Sequence, residues 1–167
     1  GKSQWYFCGN SLGLQPNNVQ AAIQQELDDW ARLGVEGHFH AKHPWMPYHL
    51  ELRENLADLM GAKPIEVVAM NSLTVNLHLL MVSFYRPSRD RPAIIIEQGA
   101  FPSDRYAVES QIRFHGFDPD QCLIEIAADP ETGLIPDSAL ESALANHGQR
   151  VALILWPGVQ YRTGQAF

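Results

Sequence analysis

Apolar residues recur along the first part of the chain at helical spacing. Val19, Ile23, Leu27 and Trp30 are four, four and three residues apart, with Gln, Glu and Asp between them and Gly34 after, which predicts an amphipathic helix over 17–33. Its Asp28-Asp29 pair reads as part of the solvated face. Residues 35–49 hold no sustained period and contain Pro44 and Pro47, so they read as a loop rich in recognition side chains. A second helix is predicted from Tyr48 to Met60, stopped by Gly61.

From Ile65 the pattern changes to alternating short apolar runs and longer periodic stretches. The predicted order is strand 66–70, helix 72–85, strand 93–96, helix 102–115, strand 122–126, helix 136–146 and strand 151–155. This is the α/β pattern, a mostly parallel sheet flanked by helices. The helix over 72–85 is apolar nearly all round, which predicts burial, and Ile94-Ile95-Ile96 suits a strand covered on both faces. The chain thus divides into a helical and loop segment, 1–62, and an α/β part, 63–167. Ligands of open α/β sheets bind beyond the carboxyl ends of the strands. Three chemically rich segments follow predicted strands here: 71–74, 97–104 and 156–161. Parallel strands would bring all three to one edge.

Composition narrows the partners. With 46% hydrophobic and 19% charged residues, the 167-residue chain reads as one globular domain or a piece of one. A net charge of −7 without a dense basic run excludes the electrostatic footprint of nucleic-acid binding, so an anionic ligand has to be met by local geometry. Cys8 and Cys122 are too few for a disulfide scaffold and lack metal spacing. No run reaches membrane-span length and no signal peptide is visible, so a cytoplasmic setting is expected. Gly1-Lys2-Ser3 lacks an initiator Met, and Val159–Phe167 has no closing helix, which together read as a fragment.

The junction Asn71-Ser72-Leu73-Thr74 carries candidate chemistry. The first turn of a helix points unpaired N–H groups outward, the macrodipole adds partial positive charge, and Ser72 or Thr74 can contribute a hydroxyl. An ordinary capped helix start is the alternative. Phe101 could supply an aromatic face and Asp104 a carboxylate, although taken singly one suits a core and the other a helix's first turn. His38, His40, His43 and His49 do not make a zinc set: no cysteine lies among them and no H-E-x-x-H helix is present. They read as solvated or substrate-contacting. The stretch Gly9-Asn10-Ser11-Leu12-Gly13 lacks a preceding strand and reads as a tight turn.

Taken together, Tyr6–Leu14, Gly37-His38 with Pro44-Trp45, Met70–Leu80, Phe101-Pro102-Ser103-Asp104 and Gly158-Val159-Gln160-Tyr161 closely resemble the kynureninases, matching in order and spacing their N-terminal part. The resemblance implies a dimeric pyridoxal 5'-phosphate enzyme of the aspartate-aminotransferase fold (fold type I). Its reaction is hydrolysis of L-kynurenine, or 3-hydroxykynurenine, to anthranilate (or 3-hydroxyanthranilate) and L-alanine, in tryptophan catabolism and NAD synthesis. It further implies that Leu73 and Thr74 hold the cofactor phosphate, that Phe101 stacks on the pyridine ring, and that Asp104, with Pro102 and Ser103 beside it, lies at the ring's polar edge. Asn10, Ser11 and His38 match substrate-facing positions, with Trp45 nearby.

The sequence departs from the family pattern in two places. Kynureninases use a Schiff-base lysine in a Tyr-Lys pair, whereas the lysines here are Lys2, Lys42 and Lys63, none in that setting. Nothing gives Lys42 the desolvated surroundings such a lysine needs. No catalytic residue is therefore assigned in this chain, and the 167-residue piece alone is expected to be inactive. Pro157 stands where some relatives place a small hydroxyl residue near the cofactor. Two other readings remain: a cysteine-desulfurase-like lyase of the same fold, and a non-catalytic fragment that binds a phosphorylated ligand.

Overall fold

The computed structural model describes residues 4–9 and 11–167, and the chain divides into two compact units, Gly1–Met70 and Asn71–Phe167.

In the first unit α1 (Val19–Leu33) forms where the apolar spacing predicts it and stops at Gly34, whose φ of 54° suits glycine. Its burial is not as expected. Ile23, Leu27 and Trp30 are exposed, while Asp29 is the buried residue of the helix. The Asp28-Asp29 pair is therefore split, with Asp28 in solvent beside Gln24. Asp29 is buried because it accepts hydrogen bonds from the Lys42 backbone N–H at 2.9 Å, from Gln25 and from Arg32. A carboxylate so satisfied can leave water.

The segment expected as an irregular loop also holds more structure than its sequence pattern suggests. A 3-10 turn at Gly34–Glu36 runs directly into α2 (Gly37–His40). Beyond it, α3 (Tyr48–Glu51) and α4 (Arg53–Met60) replace the single predicted helix, with a break at Leu52. The predicted strand 66–70 does not form. Pro64 opens a 3-10 turn at Pro64–Glu66, and the Glu66 side chain accepts from the Lys63 N–H at 2.8 Å, so the segment begins as a turn.

The second unit is built on a parallel sheet of three strands, β1 (Ala93–Glu97), β2 (Leu123–Ile126) and β3 (Val151–Ile154), in the order β2-β1-β3. Its helices are α5 (Leu73–Phe84), α6 (Pro102–Phe114), α7 (Pro119–Cys122) and α8 (Asp137–His147). Every residue of β1 is buried, and its side chains alternate between two clusters. Ile94 and Ile96 meet Leu77 and Met81 of α5 and Val108 and Ile112 of α6, whereas Ala93 and Ile95 meet Ile126, Ile135 and the α8 side. The isoleucine run is thus covered on both faces, as expected, and each fully buried isoleucine contributes about 2 kcal/mol of hydrophobic stabilisation.

Helix α5 is less buried than its composition predicts. Leu77 and Met81 are in the core, but Leu73, Leu80, Val82 and Phe84 are exposed, because one stripe of the helix rests on β1 and α6 and its other sides are open.

Candidate functional site

The geometry of the carboxyl edge of the sheet follows from how the helices end. The Tyr85 hydroxyl, just past α5, donates to the Pro92 carbonyl just before β1, and the Tyr85 ring packs on His115, just past α6, with centroids 5.2 Å apart. Both helices therefore finish where β1 begins, and their first turns lie toward the carboxyl end of β1. That places two helix N-termini, with their outward N–H groups and dipoles, on the edge where ligands of parallel sheets bind.

At the start of α5, Ser72 occupies the capping position but its side chain makes no capping hydrogen bond. The N–H groups of Leu73 and Thr74 are thus left to other acceptors, Leu73 is exposed and Thr74 is half-buried. The Asn76 amide holds the Asn71 carbonyl at 3.4 Å across the junction. At the start of α6, Pro102 takes the first helical position, where its missing N–H costs nothing, and Phe101 remains half exposed. Ser103 donates to Asp104 at 3.3 Å.

Two of the post-strand segments meet directly. The Phe101 and Tyr161 rings stand edge to face with centroids 5.3 Å apart, joining the segment after β1 to the one after β3. The latter folds back on itself through an antiparallel bridge between Val159 and Ala166. Between the strand ends lies a cleft of about 420 Å3, lined by Gln98, Gly99, Ala128, Gln160, Arg162 and Thr163 among others. The 71–74 segment reaches this edge through the direction of α5, since no strand precedes it.

Two residues of the segments singled out from the sequence, Glu97 and Gln160, are buried polar groups at the edge, and the sequence reading assigned neither a role. Glu97 closes β1 at 4% exposure and Gln160 is 6% exposed. The Gln160 Oε1 accepts the N–H groups of Arg162 (2.6 Å) and Thr163 (3.0 Å), which shapes the turn after β3. Burial pushes the Glu97 carboxyl above its ordinary range; the Gln160 side chain pulls the other way, and the nearby Asp104 charge adds to the rise. One Glu97 oxygen, Oε2, is buried without a partner among the described residues. The only available sequence signal was a glutamate ending an otherwise apolar strand, which any solvated strand end also shows.

In the first unit, Asn10 lies outside the described residues. Ser11 is exposed, and its N–H donates to the Cys8 carbonyl at 2.9 Å, which closes the expected turn. His38 is exposed on α2, with the Trp45 ring edge-on at 5.4 Å. Of the other histidines, His43 pairs with Glu51 at 3.0 Å and His40 approaches Glu36 at 3.8 Å. Among the described residues no group of three or more His, Cys, Asp or Glu is placed to hold a metal ion. Among the described residues no helix is long and apolar enough to cross a membrane.

A parallel β2-β1-β3 sheet flanked by helices, with helix N-termini at the carboxyl edge, defines an α/β protein. No protein-family model matches the chain. Whole-chain similarity is specific nonetheless. All 167 residues align at 60% identity with the kynureninase of Stenotrophomonas maltophilia (strain K279a), and at 59% with that of Xanthomonas campestris pv. campestris (strain B100). The kynureninase of Xanthomonas oryzae pv. oryzae (strain PXO99A) is 57% identical over 166 residues. The chain is similar to kynureninases across its whole length and spans 39% of the length of these curated relatives.

Proposed function

We propose that the chain is the part of a kynureninase that supplies the phosphate cup, the ring-stacking side chain and part of the substrate side of a pyridoxal-phosphate site. The observation that carries this reading is 57–60% identity to kynureninases over essentially every residue present. The donor set supports the fit. The uncapped first turn of α5 offers the Leu73 and Thr74 N–H groups and the Thr74 hydroxyl, which suit a phosphate dianion better than a neutral group. Phe101 is half exposed, leaving ring surface for a flat heteroaromatic, and Pro102 and Ser103 fix the turn that presents it. Asp104 brings negative charge to the edge, suited to a protonated ring nitrogen.

When bound, pyridoxal phosphate supplies an electron sink for bond cleavage at the substrate amino acid. The residues of this chain bind and orient: Leu73 and Thr74 hold the phosphate, and Phe101 fixes the ring plane. Ser11, His38 and Trp45, with Asn10 outside the described residues, are the positions that the family resemblance assigns to kynurenine or 3-hydroxykynurenine. Catalytic proton transfer belongs to a lysine in a setting that this sequence does not contain. A cytoplasmic homodimer is the assembly this reading carries.

The test is an anthranilate fluorescence assay with L-kynurenine and pyridoxal phosphate. The full-length protein is expected to release anthranilate and the 167-residue chain alone to release none. An inactive full-length protein overturns the reading, and turnover by the short chain overturns the assignment of proton transfer elsewhere.

A further inference from the structure

The best-built side-chain arrangement in the first unit surrounds Trp45. The ring lies directly over the backbone of Gly37: a Cβ added there would come within 2.4–2.8 Å of the indole atoms Cη2, Cζ3 and Cζ2, so glycine is required for the approach. Next in sequence, His38 meets the same ring edge-on at 5.4 Å, with planes at 86°. The backbone closes the same loop, since the Trp45 N–H donates to the Gly37 carbonyl at 3.4 Å and the Met46 N–H to the His38 carbonyl at 3.1 Å. The remaining polar atom of the ring, the indole N–H, donates to Glu26 Oε2 at 2.9 Å across nineteen residues.

Glu26 sits one turn before the buried Asp29 on α1, and it is half-buried. No cation pairs with it among the salt bridges of the described residues. A carboxylate that takes a neutral indole as partner forms a charge-assisted, directional bond, which sets the rotation of the ring about its own axis. Gly37 sets how close the ring comes, and the ring in turn limits where the exposed His38 imidazole can point.

We propose that Glu26 is a positioning residue for substrate recognition, holding Trp45 across Gly37 so that His38 is presented in one orientation. This rests on the reading above that His38 and Trp45 face kynurenine. Glu26 touches neither substrate nor cofactor in this role; it acts through the indole.

The test uses the full-length protein with pyridoxal phosphate and compares Glu26→Leu, Glu26→Gln, Trp45→Phe and the double variant E26L/W45F. Loss of one charge-assisted bond in the recognition frame raises the KM for L-kynurenine roughly tenfold in E26L while kcat stays within about threefold. In E26Q, whose amide oxygen still accepts the indole N–H, both constants stay within about threefold of wild type. E26L adds nothing further in the W45F background, where the N–H is already gone. An unchanged KM in E26L, an E26Q as impaired as E26L, or full additivity in the double variant overturns the proposal. If E26L does not fold, W45F must itself raise KM, and an unchanged KM there overturns it equally. A wild-type protein that releases no anthranilate brings down the functional reading and this inference with it; an active wild type indifferent to E26L brings down the inference alone.

Discussion

Asp29 and Glu97 are both carboxylates withdrawn from water, one in each unit of the chain, and their surroundings drive them in opposite directions. Asp29 accepts from the Lys42 N–H, Arg32 and Gln25, and the first of these, with Arg32, holds its carboxyl below the usual range. Glu97 ends a fully buried strand, and burial there raises its carboxyl. The first unit is tied together through polar groups: its apolar stripe on α1 is exposed, and the fixed points are Asp29, Glu26 and the Gly37–Trp45 contact. The second is held by an apolar sheet core, with polar groups pushed to the carboxyl edge. A buried carboxylate is held ionised where donors converge on it, and is driven towards its protonated form where burial outweighs them.

Truncation of the apolar core gives the largest contrast between the units. Ile95→Ala empties a fully buried position between β1's neighbours and the α8 side, and is expected to destabilise the second unit by about 3–4 kcal/mol. Ile23→Ala on α1, where the side chain is 58% exposed, is expected to change stability by less than about 0.5 kcal/mol. Urea unfolding of both variants measures the difference. Comparable losses from the two would mean that the α1 stripe is covered after all.

The same contrast explains what the sequence made legible. Apolar runs such as Ile94-Ile95-Ile96 report their own burial, because a strand covered on both faces leaves no room for polar residues; the three-strand sheet followed from that, and helices α1, α5, α6 and α8 from apolar residues at helical spacing, although the spacing misjudged the burial of α1 and α5. The segments that gather at the carboxyl edge could be named for the same reason. Asp29 could not be recognised as buried, since its three donors include a backbone N–H thirteen residues away that no local pattern encodes. The absent strand at 66–70 had a local signal instead, Pro64 followed by a Glu66 that accepts from the Lys63 N–H, whereas the helical turn Gly37–His40 is packed against α1, which no local pattern encodes.

A smaller effect tests the polar tie itself. Asp29→Ala leaves the Lys42 N–H without its acceptor, so hydrogen exchange at that amide is expected to accelerate about tenfold or more, while the β1 amides keep their protection. Equal acceleration in both units would show that Asp29 supports the whole chain rather than the segment bearing Trp45.

The smallest expected effect is a difference in the sign of pH dependence. Asp29 is depressed in the folded state, so its contribution is present above its unfolded value of 3.8 and is lost as pH falls through the lower folded value. Glu97 is raised in the folded state, so the unfolded chain releases its proton first; stability is full below 4.5 and declines as pH rises through the folded value. Glu97→Gln removes that proton from the balance and keeps a polar side chain of the same shape. The variant is expected to gain on wild type as pH rises from 4.5 and then level off above the folded value. Urea midpoints across pH 4 to 8 measure it. A gain that shrinks with rising pH would mean that Glu97 is ionised and paired in the folded protein, as Asp29 is. The two carboxylates would then differ only in where their donors come from, and the carboxyl edge would hold a fixed negative charge from Glu97 as well as from Asp104.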